Sequence, residues 1–431
     1  MYSYLRSIGV KAMLTDENHM ASVPQSLRAK NFDIIETHTY YGHPSFPSGK
    51  WGVDPIVKNT SSILEYGTST ATMPCVSHHN KPTSITEWNH VINNDTAAEG
   101  ALIMGAYGAA QGLDILCRYT YCHKNYGLGN LPLSYFDTLD HPVVTLSERA
   151  ASAFFLRGDV KESQLQIPLV ISKNFFNAYS AEKTPLLQKL GQLYERLSLV
   201  GKPKIYLCEE NSTLQFTNTK FFLHTDSNSQ TANISIPSFY SDDLSDDTLC
   251  NISKLLGKDL INHKSGNYQN ANKQISLNAL DGTLKIATQK SEGFVLPAGK
   301  SLFGNFAKVK SNSSWSSIFL TSLDGQNLVD SQRMLILHLS DIKNTGMRFA
   351  DTRKTVIYDM GHLPLLLRKA TAEILLDINP NEWICYALSL NGKRMGEIKI
   401  TQSGKHGKIV LNTCGKFAPT LAYELVKKQH N

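Results

Sequence analysis

The chain has 431 residues, 41% of them hydrophobic and 19% charged, with 43 Lys and Arg against 37 Asp and Glu for a net charge of +6. At roughly 150 residues per domain, this length predicts two to three domains with ample chain to bury a core. The composition excludes a disordered chain, the thinly spread positive charge carries no nucleic-acid footprint, and no apolar run approaches the roughly 18 residues of a membrane span.

The first residues, Met1 to Met13, lack the charged start and continuous apolar stretch of a signal peptide. Leu5 and Ile8 have helical spacing, Gly9 is a helix stop, and Val10 to Leu14 reads as a strand ending in the polar Thr15-Asp16-Glu17-Asn18-His19. Three further strands follow in the same style. Phe32 to Ile35 runs into Glu36-Thr37-His38-Thr39-Tyr40-Tyr41-Gly42, Ser84-Ile85-Thr86 into Glu87-Trp88-Asn89-His90, and Leu113 to Cys117 into Arg118-Tyr119-Thr120-Tyr121-Cys122-His123. Between the last two, Thr96 to Gln111 is rich in Ala, Gly and Met and reads as a helix packed closely on a sheet. Strands alternating with helices predict parallel βαβ units, and polar and aromatic residues at the strand C-termini are the pattern of a (β/α)8 rim. No Gly-rich phosphate loop follows any strand, so a doubly wound nucleotide-binding fold is disfavoured.

From about Arg157 the texture changes to short strands with Asn/Ser/Thr/Asp-rich turns, interrupted by one helical pattern at Pro185 to Leu199. From Leu280 onward, strands are expected at Thr283–Ala287, Ser316–Thr321, Met334–Leu339, Thr355–Tyr358, Ala372–Leu376 and Trp383–Leu388. Asp281-Gly282, Asp324-Gly325, Asn391-Gly392 and Ser403-Gly404 are turn signals between them, which together predict a β-sandwich-like domain. The seven cysteines (75, 117, 122, 208, 250, 385 and 414) show no CxxC spacing, against a zinc site and a dense disulfide framework.

The chemistry concentrates at Glu87. A carboxylate following a buried strand and flanked by Trp88 and Asn89 is either a solvated cap or a reacting group, and sequence alone leaves both open. His38 and Tyr40 are two residues apart on one strand, so their side chains share a face. Tyr41, Trp51, Trp88, Tyr119 and Tyr121 add aromatic faces that pack against sugar C–H surfaces, while the neighbouring Asn, His and Glu can bond hydroxyls. On these residues a resemblance emerges. "IIETHTYYGHP", "SITEWNH" and "GAAQGLDILCRYTY" resemble strands six, seven and eight of retaining (β/α)8 glycoside hydrolases of the family 5 cellulase-like superfamily.

The resemblance implies Glu87 as nucleophile, Tyr40 positioning its carboxylate and His38 lining a sugar subsite. It matches Val10 to Asn18 with strand five, making Asn18 a sugar-binding candidate. Trp88, Asn89, Tyr119, Tyr121 and Trp51 complete the candidate substrate-binding set. "LTSLDGQNLVDSQRMLILHLSDIKNTGMRF" resembles the β-rich domain that follows the barrel in bacterial relatives. Two departures stand out. The family's strand-eight Trp is replaced by Tyr119 or Tyr121, and its acid/base Glu, on strand four, has no counterpart here. A retaining mechanism needs two carboxyls about 5–5.5 Å apart, and Glu17 is the in-chain substitute for the second.

The expectation is therefore the C-terminal half of a (β/α)8 barrel, strands five to eight, over residues 1–155. A β-rich connecting region with one helix follows over 156–275, and a β-sandwich-like accessory domain over 276–431. The expected parent is an exported or cell-surface hydrolase of a β-linked oligo- or polysaccharide, needing no metal or organic cofactor, with this chain alone weak or inactive. The rivals are a non-catalytic carbohydrate-binding or surface protein on a degraded barrel, and an α/β protein of unrelated chemistry.

Overall fold

A computed structural model describes residues 1–15, 31–52, 54–67, 70, 73, 77–91, 93–123, 131–172, 193, 195–208, 222–224, 233–235, 246–256 and 259–429. The chain opens on helix α1 (Tyr2–Ser7), and Gly9 turns away from it at φ +91°, a left-handed conformation that favours glycine. The stretch expected to be the next strand is irregular and mostly exposed. Its carbonyls at Val10 and Ala12 accept hydrogen bonds from the Arg6 guanidinium instead of a neighbouring strand.

Strands β1 (Ile35–Tyr41), β2 (Thr83–His90) and β3 (Ile115–Arg118) form a parallel three-stranded sheet in that order. Helix α2 (Gly100–Gln111) makes the crossover from β2 to β3. It is buried on nearly all sides, and its Gly and Ala residues let neighbouring elements approach its backbone. At Gly105 an added Cβ would lie 2.6 Å from the Cα of Ala151, the last residue of helix α3 (Pro142–Ala151).

A second parallel sheet holds β4 (Gln166–Ser172), β5 (Lys202–Cys208), β6 (Phe222–His224) and β7 (Asn233–Ser235), in the order β5-β4-β6-β7. Helix α4 (Asp246–Leu256) follows it. The rest is antiparallel. A ten-stranded sheet runs from Arg394–Ile398 at one edge to Ile261–Asn262 at the other, with Ser291–Leu296, Ser316–Ser322 and Arg333–Leu339 at its centre. A five-stranded sheet is built around Thr371–Leu376. Alternation along 316–322 explains why the central strands are buried on both faces. Ile318 and Leu320 join a core with Val309, Ile374 and Ile409 of the five-stranded sheet, while Phe319 points the other way onto Phe154. That second core also holds Ile85 and Trp88 of β2 and most of α2, so apolar packing is continuous across positions 155 and 275.

The expected half-barrel is not what this chain forms. Among the described residues the helices are few and short, three short strands make up the first parallel sheet, and the largest sheet is ten-stranded and antiparallel. The physical reason is that apolar periodicity reports whether a segment is extended or helical. It is silent on which strand lies beside it and in which direction. The later strands predicted from Thr283 to Leu388 do occur, with the one at Thr355–Tyr358 displaced to Ile357–Asp359.

One excursion matters for the site. Between Arg333–Leu339 and Thr371–Leu376 the chain makes two small ladders, Ile342–Thr345 with His362–Leu367 and Arg348–Phe349 with Ile357–Asp359. This arm reaches the loops beyond the first sheet. Val57 N–H donates to the Thr355 carbonyl, Ile357 N–H to Pro55, and Asn344 exchanges hydrogen bonds with the Leu133 backbone. Lys343 and Lys354 both pair with Asp95, at 3.0 and 2.9 Å.

Candidate active site

On β1, burial alternates strictly, with Ile35, Thr37, Thr39 and Tyr41 inward and Glu36, His38 and Tyr40 on the more open face. Without irregularity, β2 would set Glu87 on the same face as Ile85, inside the apolar core. It does not, because Thr37 pairs with Ile85 and His38 with Glu87, leaving Thr86 as an extra residue in the ladder. The same shift appears against β3 between Ile85 and Trp88. This bulge reverses the facing of everything after it, so Glu87 joins His38 while Trp88 turns inward.

The result is a compact polar centre. One carboxylate oxygen of Glu87, Oε2, accepts the Tyr40 hydroxyl and lies 3.2 Å from His38 Nδ1. Glu87 remains 28% exposed, open enough to meet a ligand. Burial first, then the hydrogen bond to Glu87 and its charge, hold the Tyr40 hydroxyl well above the usual tyrosine range. Tyr40 therefore stays a donor to the carboxylate across the whole working pH range. The strand runs three residues past Glu87 to His90, so the carboxylate sits beside the bulge rather than at the strand end.

Around this centre is an aromatic wall. Phe136 is its hub, with ring centroids 5.5 Å from Tyr40, 5.4 Å from His43, 6.0 Å from Tyr119 and 6.2 Å from His123. Trp51 packs on Phe46 at 4.5 Å and lies nearly parallel to Phe136, yet is 64% exposed. Tyr121 is equally exposed. Ile357, Met347, Phe349 and Met360 of the arm pack against this wall from behind. Such edge-to-face clusters fix ring orientation and leave outer faces available for stacking.

The expected site residues divide cleanly. Glu87, His38 and Tyr40 meet directly, and Tyr119 joins them through its ring, 6.4 Å from that of Tyr40. Trp51 belongs to the same wall. Trp88 does not face the site. It is 2% exposed in the core, with the Arg118 guanidinium 4.5 Å from its ring centroid. Asn89 is 1% exposed and fully engaged, its amide donating to the Tyr119 and Phe136 carbonyls and its oxygen accepting from Arg118. It holds β2, β3 and the Phe136 segment together instead of binding a ligand. Glu17 and Asn18 lie outside the described residues. His43 and His123 fall within the segments singled out in the sequence but were not named as site residues, and Phe46, Phe136 and Asp137 were not foreseen, since nothing local ties the run Tyr135-Phe136-Asp137 to β1.

Among the described residues no group of three or more His, Cys, Asp or Glu is arranged to hold a metal ion, and no helix is long and apolar enough to cross a membrane. Comparison of the chain with protein families, curated proteins and solved structures gives no match.

Proposed function

We propose that the Glu87 site cleaves O-glycosidic bonds of a β-linked glycan, with Glu87 as the nucleophile of a retaining double displacement. The observation that carries this reading is the Glu87 carboxylate held through one oxygen by Tyr40 and His38 beside an aromatic wall. With Oε2 anchored, Oε1 is the oxygen left to attack an anomeric carbon. The exposed outer face of Trp51 suits the C–H face of a sugar ring. Attack would form a glycosyl–enzyme ester and expel the leaving oxygen, which in a full mechanism takes a proton from a second carboxyl about 5–5.5 Å away. Glu17 is the acid that the sequence offers for this step.

An aryl β-glycoside with a strongly acidic phenol leaves without that proton, so it tests Glu87 independently of the acid. The expected result is turnover, or a single burst of phenol, that vanishes in Glu87→Gln. A mechanism-based fluorosugar should add its glycosyl mass to the peptide containing Glu87. Turnover that survives Glu87→Gln refutes the assignment. The exposed Trp51 indole favours a second reading, a carbohydrate-binding surface without turnover. In that case glycan binding persists in Glu87→Gln and is lost in Trp51→Ala.

A further inference from the structure

The Tyr119 hydroxyl does not stand alone at the rim. It lies 2.8 Å from His123 Nε2, and His123 Nδ1 lies 2.5 Å from Asp137 Oδ1. The same carboxylate oxygen accepts the His123 backbone N–H at 3.0 Å, and the Asp137 backbone N–H donates to Ser134 Oγ at 3.2 Å. Each group in the chain Asp137–His123–Tyr119 is therefore oriented by the next. Asp137 is mostly buried, whereas the His123 ring is substantially exposed and packs 5.1 Å edge-on to Tyr119. Phe136 backs both rings.

We infer that Asp137 and His123 are positioning residues that fix the Tyr119 hydroxyl as a hydrogen-bond acceptor for a sugar hydroxyl in the Glu87 site, making Tyr119 a specificity-determining contact. This rests on the glycosidase reading above. The polarity follows from the chemistry of the chain. A carboxylate can only accept, so the proton between Asp137 and the imidazole belongs to Nδ1. In the neutral imidazole Nε2 then presents its lone pair and takes the Tyr119 O–H. With its hydrogen committed to His123, the phenol oxygen has only lone pairs left to offer, and a ligand must supply the donor. An ether or fluorine at that sugar position cannot do so. The ring neighbours Tyr40 at 6.4 Å, and Tyr40 bonds the nucleophile, which places this acceptor in the walls of the same site.

Two measurements on the intact chain test it. In the first, ¹⁵N-histidine spectra are recorded on the wild type, with His123→Gln used to assign the resonance. The expected His123 signal has a protonated Nδ1 and an unprotonated Nε2, and the Nε2 shift changes in Tyr119→Phe. A proton on Nε2 overturns the inference. In the second, aryl β-glycoside kinetics compare Tyr119→Phe, His123→Leu and His123→Gln. Loss of one ligand hydrogen bond raises KM roughly tenfold, with kcat within about twofold. Gln places an acceptor oxygen near the Nε2 position and restores much of the loss, whereas Leu does not. Unchanged KM in Tyr119→Phe, or equal effects of Leu and Gln, overturns the inference while leaving Glu87 untouched. If no turnover depends on Glu87, the functional reading fails and the sugar role of Tyr119 falls with it; the spectra still decide the hydrogen-bond chain by themselves.

Discussion

Glu99 offers the sharpest test of how the scaffold behind the site is held. It stands at the N-terminal end of α2 with no solvent exposure, and its carboxyl accepts Ser61 Oγ at 2.7 Å and Ser62 N and Oγ at 2.7 and 2.8 Å. Burial outweighs these donors and pushes the Glu99 carboxyl from 4.5 up to about 7. A raised native value means that between pH 4.5 and 7 the folded chain keeps a proton that the unfolded chain has released. The stabilisation is complete below 4.5 and is lost as pH rises through 7. At ~1.36 kcal/mol per unit the whole effect is about 3 kcal/mol, most of which falls between pH 5 and pH 8. Glu99→Gln mimics the protonated side chain, with its amide donating to Ser61 and its oxygen accepting from Ser62. Urea denaturation of both proteins at pH 5 and pH 8 gives the comparison, and the contributions of other titrating groups cancel in the difference. The variant should gain about 2–3 kcal/mol on the wild type between the two pH values. Parallel curves for the two proteins would refute the account of Glu99 as a buried acid that must ionise.

Acid sensitivity has a separate source. Burial pushes His78 and His338 down to about 4 and His90 to about 3, so these rings fold neutral. Stability contributed by their neutral forms is intact above pH 6.5 and is lost as pH falls toward 4; replacing His90 by Leu should flatten that limb in denaturation curves. Gly105→Ala forces a methyl into the Ala151 backbone and should cost about 1–3 kcal/mol, read as a lower Tm. Asn344→Ala removes the hydrogen bonds that tie the arm to Leu133 and, within the arm, hold Asn344 to the Met360 carbonyl. It should speed amide exchange at Leu133 and lower the stability by about 1–3 kcal/mol.

The polar centre is held by two kinds of support. Its first group, Tyr40 and His38, lies on one strand and needs only the pleat to bring the two side chains together. The second kind comes from far along the chain. Asn89 ties β2 to the Phe136 segment, and Asn344 and Ile357 press the arm against that segment's other side. Residues of the antiparallel region thus stabilise an aromatic wall that begins some 300 positions earlier in the chain.

Much was legible before any tertiary contact was known. The pairing of His38 with Tyr40 follows from a period of two, the buried helix at α2 from its run of small residues, and the strands from Thr283 to Leu388 from alternation and Gly-bearing turns. These are properties of neighbouring residues. The barrel expectation went wrong because closure depends on long-range pairing: Val10–Leu14 stays irregular, and among the described residues the first parallel sheet stops at β1, β2 and β3. The site shows the same division in miniature. Trp88 and Glu87 are adjacent in sequence and both were expected at the rim, yet the bulge at Thr86 sends one into the core and the other to the open face. Sequence alone singled out Glu87, His38 and Tyr40 as candidates. Only the tertiary structure decided which way they face and that Phe136, His123 and Asp137 stand beside them, because a one-residue shift in register leaves no trace in composition or periodicity.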